Sequence, residues 1–504
     1  MATALADLVA TSAEVAANSA RTAKVASLAR LLRGLDDAEV GPAVGMLTGV
    51  PRQGRIGVGW RTLASVDVPP AGTATVGVLE LDAVLTQLAA TSGAGSVARR
   101  DATLRALFAR LTAEEATFVF RLLTGELRQG ALAGVMAEAI ALAYDVPAAL
   151  VRRAAMLAGE LAHVASTARA AGAAGLGAIG LQVLRPVQPM LAASSPTVAD
   201  ALAETGPASI EWKLDGARIQ VHRLGSEVRV YTRNLNEVTD RLPGVAAVVA
   251  ALPVRSLVLD GEAIGLDDAG RPRRFQETMS AFSDELGQAG ASLQALFFDV
   301  LHLDGSDLLD RPLRERRAEI ERLAPQLVVP AIETDDSAAG DEFAGQALAT
   351  GHEGVMVKAL DSVYAAGRRG GSWRKVKPVQ TLDLVVIGVE WGHGRRRGWL
   401  SNLWLGARDP AGGFVMVGKT FKGLTDELLR WQTARLQELA EHDDGHVVRV
   451  RPELVVEIAL DGVQASPRYP GGVALRFARV RGYRPDKGPA DADTIDTVRA
   501  LLPP

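Results

Sequence analysis

Through roughly the first 170 residues, apolar positions recur at intervals of three and four, as in residues 26–35 and 104–111, with few β-branched alternations. That spacing predicts an all-α region. Thr112 ahead of Ala113, Glu114 and Glu115 reads as a helix N-cap with acidic residues in the first turn. Within residues 122–130, Gly125 and Gly130 bracket a charged segment. Such a turn either simply joins two helices or presents backbone amides and Arg128 to a phosphate backbone. Residues 170–180 are low-complexity alanine and glycine, which predicts a linker or the close of a first domain.

From Ser209 the period changes to two. Ile219 and Val221, then Val228, Val230 and Thr232, alternate on either side of Leu224, Gly225, Ser226 and Glu227, the pattern of a β-hairpin. Strands are expected again at residues 257–259, 296–300 and 355–357, and helices at 237–252 and 313–323, giving an α+β domain. Beyond about residue 378, five strands (384–389, 403–407, 415–418, 447–450, 454–458) and one helix (426–441) suit a small C-terminal β-barrel of the OB-fold type. The expected organisation is therefore multidomain: helical 1–180, α+β 181–378 and barrel 379–504, as a length of 504 residues suggests.

Composition narrows the chemistry. With 48% hydrophobic and 23% charged residues the chain reads as soluble and globular. The absence of cysteine excludes disulfides, thiol catalysis and cysteine-ligated zinc, and fits a cytoplasmic protein. Seven scattered histidines show no metal-binding spacing, so any metal is expected to be a hard cation on carboxylates and phosphate. Asp7, Glu14 and Arg21 interrupt the N-terminus with helical spacing, unlike a signal peptide. The longest uncharged stretch, 170–184, is shorter than the roughly 20 residues that span a bilayer, so no membrane association is expected. A net charge of −4 speaks weakly against nucleic acid, but local patches matter more than the sum.

The residues that carry chemistry begin at Glu211-Trp212-Lys213-Leu214-Asp215-Gly216-Ala217-Arg218. An Asp-Gly turn signal and an alternating run follow Lys213, placing it at a strand end or turn that faces a pocket. A lysine attacks phosphorus only when neutral, a state favoured by burial and neighbouring cations. Four further sets follow: Arg233-Asn234, Asp260-Gly261-Glu262, Phe298-Asp299, and Glu353-Gly354-Val355-Met356-Val357-Lys358 with Trp373-Arg374-Lys375-Val376-Lys377. Taken alone each has an ordinary explanation as a turn, core pair or solvated strand face. Their joint order and spacing resist that explanation.

In this order the motifs resemble those of the covalent nucleotidyltransferases, and within them the ATP-dependent DNA ligases, over nearly the whole chain. Pro186-Val187-Gln188-Pro189-Met190 resembles the opening of that family's catalytic domain, and residues 123–130 its minor-groove loop. The resemblance implies that Lys213 is the nucleophile, attacking the α-phosphate of ATP. Phe298 would then stack on adenine, Glu211 help read the base edge, and Arg218 with Glu262 hold the ribose or its phosphate. Arg233 and Arg369 join the nucleotide set, and Lys375 and Lys377 meet the α-phosphate. Glu353, with Glu262 or Asp260 as helper, would hold Mg²⁺. AMP would pass to the 5′-phosphate of a nick in duplex DNA, to be displaced by the 3′-hydroxyl, with the protein acting as a monomer near the nucleoid. Arg128 and Gly130, and the basic hairpin tip Arg395, Arg396 and Arg397, are expected to contact DNA.

The closing motif, residues 474–487, keeps Arg476, Arg479 and Lys487, which would orient the outgoing pyrophosphate. It departs from the family at Ala478, where proline is usual, and at Gly482, where arginine often stands. Arg481 is one residue away, but neighbouring strand positions face opposite sides. An NAD-dependent ligase is disfavoured because its zinc module needs cysteine, and an RNA ligase because of the long helical region.

Overall fold

The computed structural model describes residues 3–54, 56–127, 132–267, 271–273, 293–365 and 369–502. The helical periodicity is realised from α1 (Leu5–Ala17) through α7 (Ala113–Thr124) and α8 (Leu132–Tyr144) to α9 (Ala148–Ala158) and α10 (Leu161–Gly177). The apolar stripe residues Leu8, Leu32, Leu47, Leu85, Val119 and Ile140 meet in one core. At Thr112 the expected cap is a full capping box: its hydroxyl accepts from Glu115 N–H (3.3 Å), and the Glu115 carboxylate accepts from Thr112 N–H (2.8 Å). Gly125, at φ 70°, ends α7 in the left-handed conformation.

The alanine–glycine stretch is not a loose linker. α10 continues to Gly177, broken at Gly172 (φ 55°), and Leu176 is buried in the helical core. The connection proper follows it and is clamped to the next unit. Leu184, held at φ 71°, gives its N–H to His222 Nδ1 (3.0 Å) and accepts at its carbonyl from Tyr231 Oη, while Val187 N–H goes to Gln220 (2.8 Å). Met156 and Leu157 at the end of α9 pack with Val187, Met190, Tyr364 and Trp373, which sets the helical unit against the back of the central one.

The central unit consists of two sheets. One runs β4 (Glu227–Thr232), β3 (Ala217–Leu224), β5 (Ser256–Gly265), β6 (Leu293–Leu303), β7 (Ser306–Asp307). The other runs β1 (Leu191–Ser195), β10 (Arg369–Val376), β9 (Val355–Ala359), β2 (Ala208–Trp212), β8 (Ala331–Thr334). The predicted hairpin has the expected register, Leu224 opposite Glu227 across a two-residue turn. The helix Leu313–Leu323 matches its apolar spacing, whereas the helix expected at 237–252 is shorter, a 3-10 turn and then Pro243–Ala250. Pro243 is tolerated only in the first turn, so it resets the start.

In the C-terminal unit β11 (Gln380–Trp391) is shared: it pairs with β12 (Leu400–Arg408) along one edge, and with β15 (Val447–Val450) and β16 (Val455–Leu460) along the other. β13 (Phe414–Thr420), β14 (Ala440–Asp443) and β19 (Arg479–Tyr483) complete a seven-stranded sheet. β17 (Gly462–Ala465) and β18 (Val473–Arg476) form a separate hairpin. The five strands read from the sequence are present, but β14, β17, β18 and β19 are additional. Among the described residues the pairing does not close into a ring.

Candidate active site

β2 delivers the chain to Trp212 and stops. Lys213 N–H is bonded to Gly354 O (2.8 Å) and Glu353 N–H to Lys213 O (3.1 Å), so two turns far apart in sequence lie side by side. Their side chains meet, the Lys213 ammonium donating to the Glu353 carboxylate. Two glycines let these turns sit tightly against neighbouring strands. A Cβ at Gly216 would lie 2.4 Å from Ala263 O, and Gly354 stands at φ 134° with Val376 O equally close to where its Cβ would be.

Beside Lys213, between the two sheets, lies a cavity of about 340 Å³. Its walls include Glu211, Lys213, Arg218, Arg233, Glu262, Phe298 and Lys375, seven of the residues to which the resemblance gives a role, together with the motif residues Lys358 and Trp373. Arg218 is fixed by Asp260 (3.0 and 2.7 Å) and by Met190 O (2.7 Å), and lies 5.3 Å from the Phe298 ring centre. Burial opposes the charge on Arg218, but Asp260 outweighs it and holds the guanidinium pKa above its ordinary value. Asp260 also accepts from Tyr364 Oη (2.6 Å), a residue without a sequence signal of its own.

Glu262 is in the opposite situation. Burial pushes its carboxyl up to about 7, despite Arg218 and Lys213, with Asp260 and Asp215 adding repulsion. Glu211, 1% exposed, is held between Lys358 (2.6 Å) and Arg317 (3.1 Å). Lys358 sits 4.2 Å from the Phe298 ring centre and 4.1 Å from that of Trp373. Burial lowers its pKa from the ordinary lysine value, with Glu211 and Asp299 opposing. Asp299 is itself locked by Arg316 (2.7 and 2.9 Å) in a fully buried pair. Arg218, Glu211, Lys358 and Asp299 are thus each held in a fixed orientation by a charged partner.

The remaining site residues with described side chains lie off the cavity wall. Lys377 is 3.8 Å from Glu353 and 2.7 Å from Asp461 of the C-terminal unit. Arg479 is 3.4 Å from the same Asp461. Arg476 reaches across to Asp215 (2.9 and 3.4 Å). Lys487 stays within its own unit, 2.5 Å from Asp383, which Arg484 shares at 3.1 Å. Arg369 opens β10, but its side chain lies outside the described residues.

The departure at Gly482 takes a structural form. Glu457 pairs with Gly482 and Ile458 with Val480, so Arg481 is the extra residue of a β-bulge. Its side chain is 55% exposed, 3.9 Å from Glu457, and takes no part in the cavity. Asp461 was missed in the sequence because Asp-Gly pairs are common turn signals. Nothing marks it before the units are docked.

Of the residues expected on DNA, Arg128 and Gly130 lie outside the described residues, as does the side chain of Arg395. The hairpin tip between β11 and β12 is present, with a 3-10 turn at Gly394–Arg396. Arg396 donates to Phe421 O, and Arg397 is exposed.

Comparison with known proteins agrees with this geometry. Residues 189–377 match the ATP dependent DNA ligase domain, 396–487 the ATP dependent DNA ligase C terminal region, and 69–141 the DNA ligase N terminus. A Probable DNA ligase of Rhodococcus opacus (strain B4) is 57% identical over 498 residues, covering 98% of this chain and 99% of its own. One from Saccharopolyspora erythraea is 56% identical over 501 residues, covering 99% and 98%. The solved structure Pmar-Lig_Pre shares the fold at a TM-score of 0.65 and 19% identity, over 95% of this chain and 99% of its own. With relatives this similar along its whole length and the lysine-centred cavity in place, the chain belongs to the ATP-dependent DNA ligases.

Proposed function

We propose that Lys213 is the nitrogen that takes AMP from ATP, and that the cavity beside it is the nucleotide site. The carrying observation is the Lys213–Glu353 contact at the mouth of an aromatic, cation-lined cavity. As Nζ turns toward the α-phosphorus, Glu353 already holds the hydrogen bond along which the ammonium proton leaves. A P–N bond forms, the bond to the β-phosphate breaks and pyrophosphate departs. Lys375 and Lys377 offset the negative charge that builds on the phosphoryl oxygens. Phe298 packs on the base, while Arg218, Arg233 and Glu262 serve the sugar and its phosphate. Arg369, Arg479 and Lys487 complete the nucleotide set.

Mg²⁺ suits the donors present. Glu353 and Glu262 are hard oxygen donors next to Lys213. Among the described residues no group of three His, Asp or Glu forms a dedicated metal cage. That is the arrangement for an ion carried mainly on phosphate and water. When bound it would shield phosphate charge.

The same reading makes nicked duplex DNA the substrate, gripped by the helical unit through Arg128 and Gly130 and by Arg395, Arg396 and Arg397. The same reading has the protein work in the cytoplasm at the nucleoid and as a monomer, the last supported by a cavity and nucleophile built from one chain. The unit boundaries 1–180, 181–378 and 379–504 are supported by separate apolar cores. An OB-type barrel is supported by the order of three strands, helix, then further strands, with β11 pairing both β12 and β16. The test is labelling by α-labelled ATP followed by denaturing electrophoresis. Lys213→Ala and Lys213→Arg should take no label, the latter because guanidinium stays protonated. A labelled Lys213→Ala protein would refute the assignment.

A further inference from the structure

We propose that Asp461 is a built-in competitor for the phosphates of the nucleotide, its carboxylate occupying Lys377 and Arg479 and giving them up to ATP. Asp461 then reclaims them as pyrophosphate leaves. This rests on the ATP reading above.

Asp461 belongs to the C-terminal unit, yet its carboxylate lies 2.7 Å from Lys377, which follows β10 in the central unit, and 3.4 Å from Arg479 on β19. The pair with Lys377 is mostly shielded from water, with 18% of each side chain exposed. The backbone fixes the placement: Asp461 N–H donates to Arg476 O (2.9 Å), joining it to the hairpin whose Arg476 grips Asp215. Where the C-terminal unit meets the site, the carboxylate must therefore fall among these cations.

The charges alternate along the line Lys213, Glu353, Lys377, Asp461, Arg479. Burial works against the Asp461 carboxylate, but Lys377, Arg479 and Lys375 together hold its pKa below the ordinary range. Three cations around one carboxylate form a field that suits a more highly charged anion. A triphosphate displaces the single negative charge. A departing pyrophosphate meets that charge returning, so the half-buried cations are not left to retain the product.

A merely structural Asp461 predicts the opposite sign. Removing it would loosen the junction and weaken anion binding, whereas removing a competitor strengthens it. The experiment uses the full chain and α-labelled ATP, with inorganic pyrophosphate as inhibitor of Lys213 labelling. Asp461→Asn should make pyrophosphate inhibit at concentrations about ten-fold lower, equivalent to about 1.4 kcal/mol, and should lower the KM for ATP. Inhibition by adenosine, which has no phosphate, should stay at the parent value, and Asp461→Glu should restore the parent response to pyrophosphate. Asp461→Ser carries the same expectation should the asparagine variant not fold. Unchanged or weakened pyrophosphate inhibition in the uncharged variants overturns the proposal. A parent protein that takes no label from ATP overturns the ATP reading itself, and this inference with it.

Discussion

The contact between Arg476 and Asp215 gives the sharpest test of how the C-terminal unit takes part. Its bonds measure 2.9 and 3.4 Å, and the side chains are 14% and 26% exposed. Burial disfavours the Arg476 charge, but Asp215 outweighs it and raises the guanidinium pKa. A charge-assisted bond in such a partly shielded place contributes about 1.5–3 kcal/mol. Arg476→Ala should therefore lower the population of the docked arrangement, and with it the rate of self-adenylation, by roughly 10- to 150-fold. The later steps contain no pyrophosphate, so they should not need this docking. In single-turnover labelling with α-labelled ATP the variant should show the full loss. Given a nick that already carries AMP on its 5′-phosphate, it should close the break at a rate near that of the parent. Arg476→Lys, which keeps charge but loses the two-pronged geometry, should fall between. Equal losses in both assays would mean that Arg476 serves folding or DNA binding, and the reasoning from docking would have to be abandoned.

Three other expectations concern the scaffold and the helical unit's hold on DNA. Arg316→Ala leaves Asp299 buried without its partner and should cost about 3–5 kcal/mol in urea unfolding; a loss below about 1 kcal/mol would contradict the buried pair. His222 is buried and neutral, with burial pulling its pKa from 6.5 down to about 3. Between those values the unfolded chain binds a proton that the folded one refuses, so stability should fall as pH drops from about 6.5 toward 3, and His222→Gln should flatten the decline measured by thermal melts; an identical pH profile for the two proteins would refute it. A fragment of residues 1–180 should bind duplex DNA with an affinity that falls steeply with added salt, as released counterions require, and a salt-independent affinity would remove the DNA assignment from the helical unit.

The local grammar of this chain was legible in one dimension because its signals depend on near neighbours. The three-and-four spacing gave the helical character of the first unit, the alternation around Gly225 gave the β3–β4 hairpin in register, and Thr112 with Glu115 gave a capping box. The motif residues gave one cavity wall, since Lys213, Arg218, Glu262, Phe298 and Lys375 meet there. Short or uneven strands such as β14, β17 and β18 left no periodic trace, and residues 170–180 read only as a linker or the close of a domain because alanine and glycine carry no apolar stripe strong enough to show Leu176 turning into the core. What only the tertiary structure decided are pairings between residues far apart along the chain. Tyr364 and Arg218 share Asp260, Lys358 lies between two aromatic rings against Glu211, Asp383 pairs with Lys487, and Asp461 reaches Lys377 from another unit. Helix and strand periods report which face of an element is apolar. They carry no information about which charge stands opposite another once sheets and units are docked, and that opposition sets the electrostatics on which the chemistry depends.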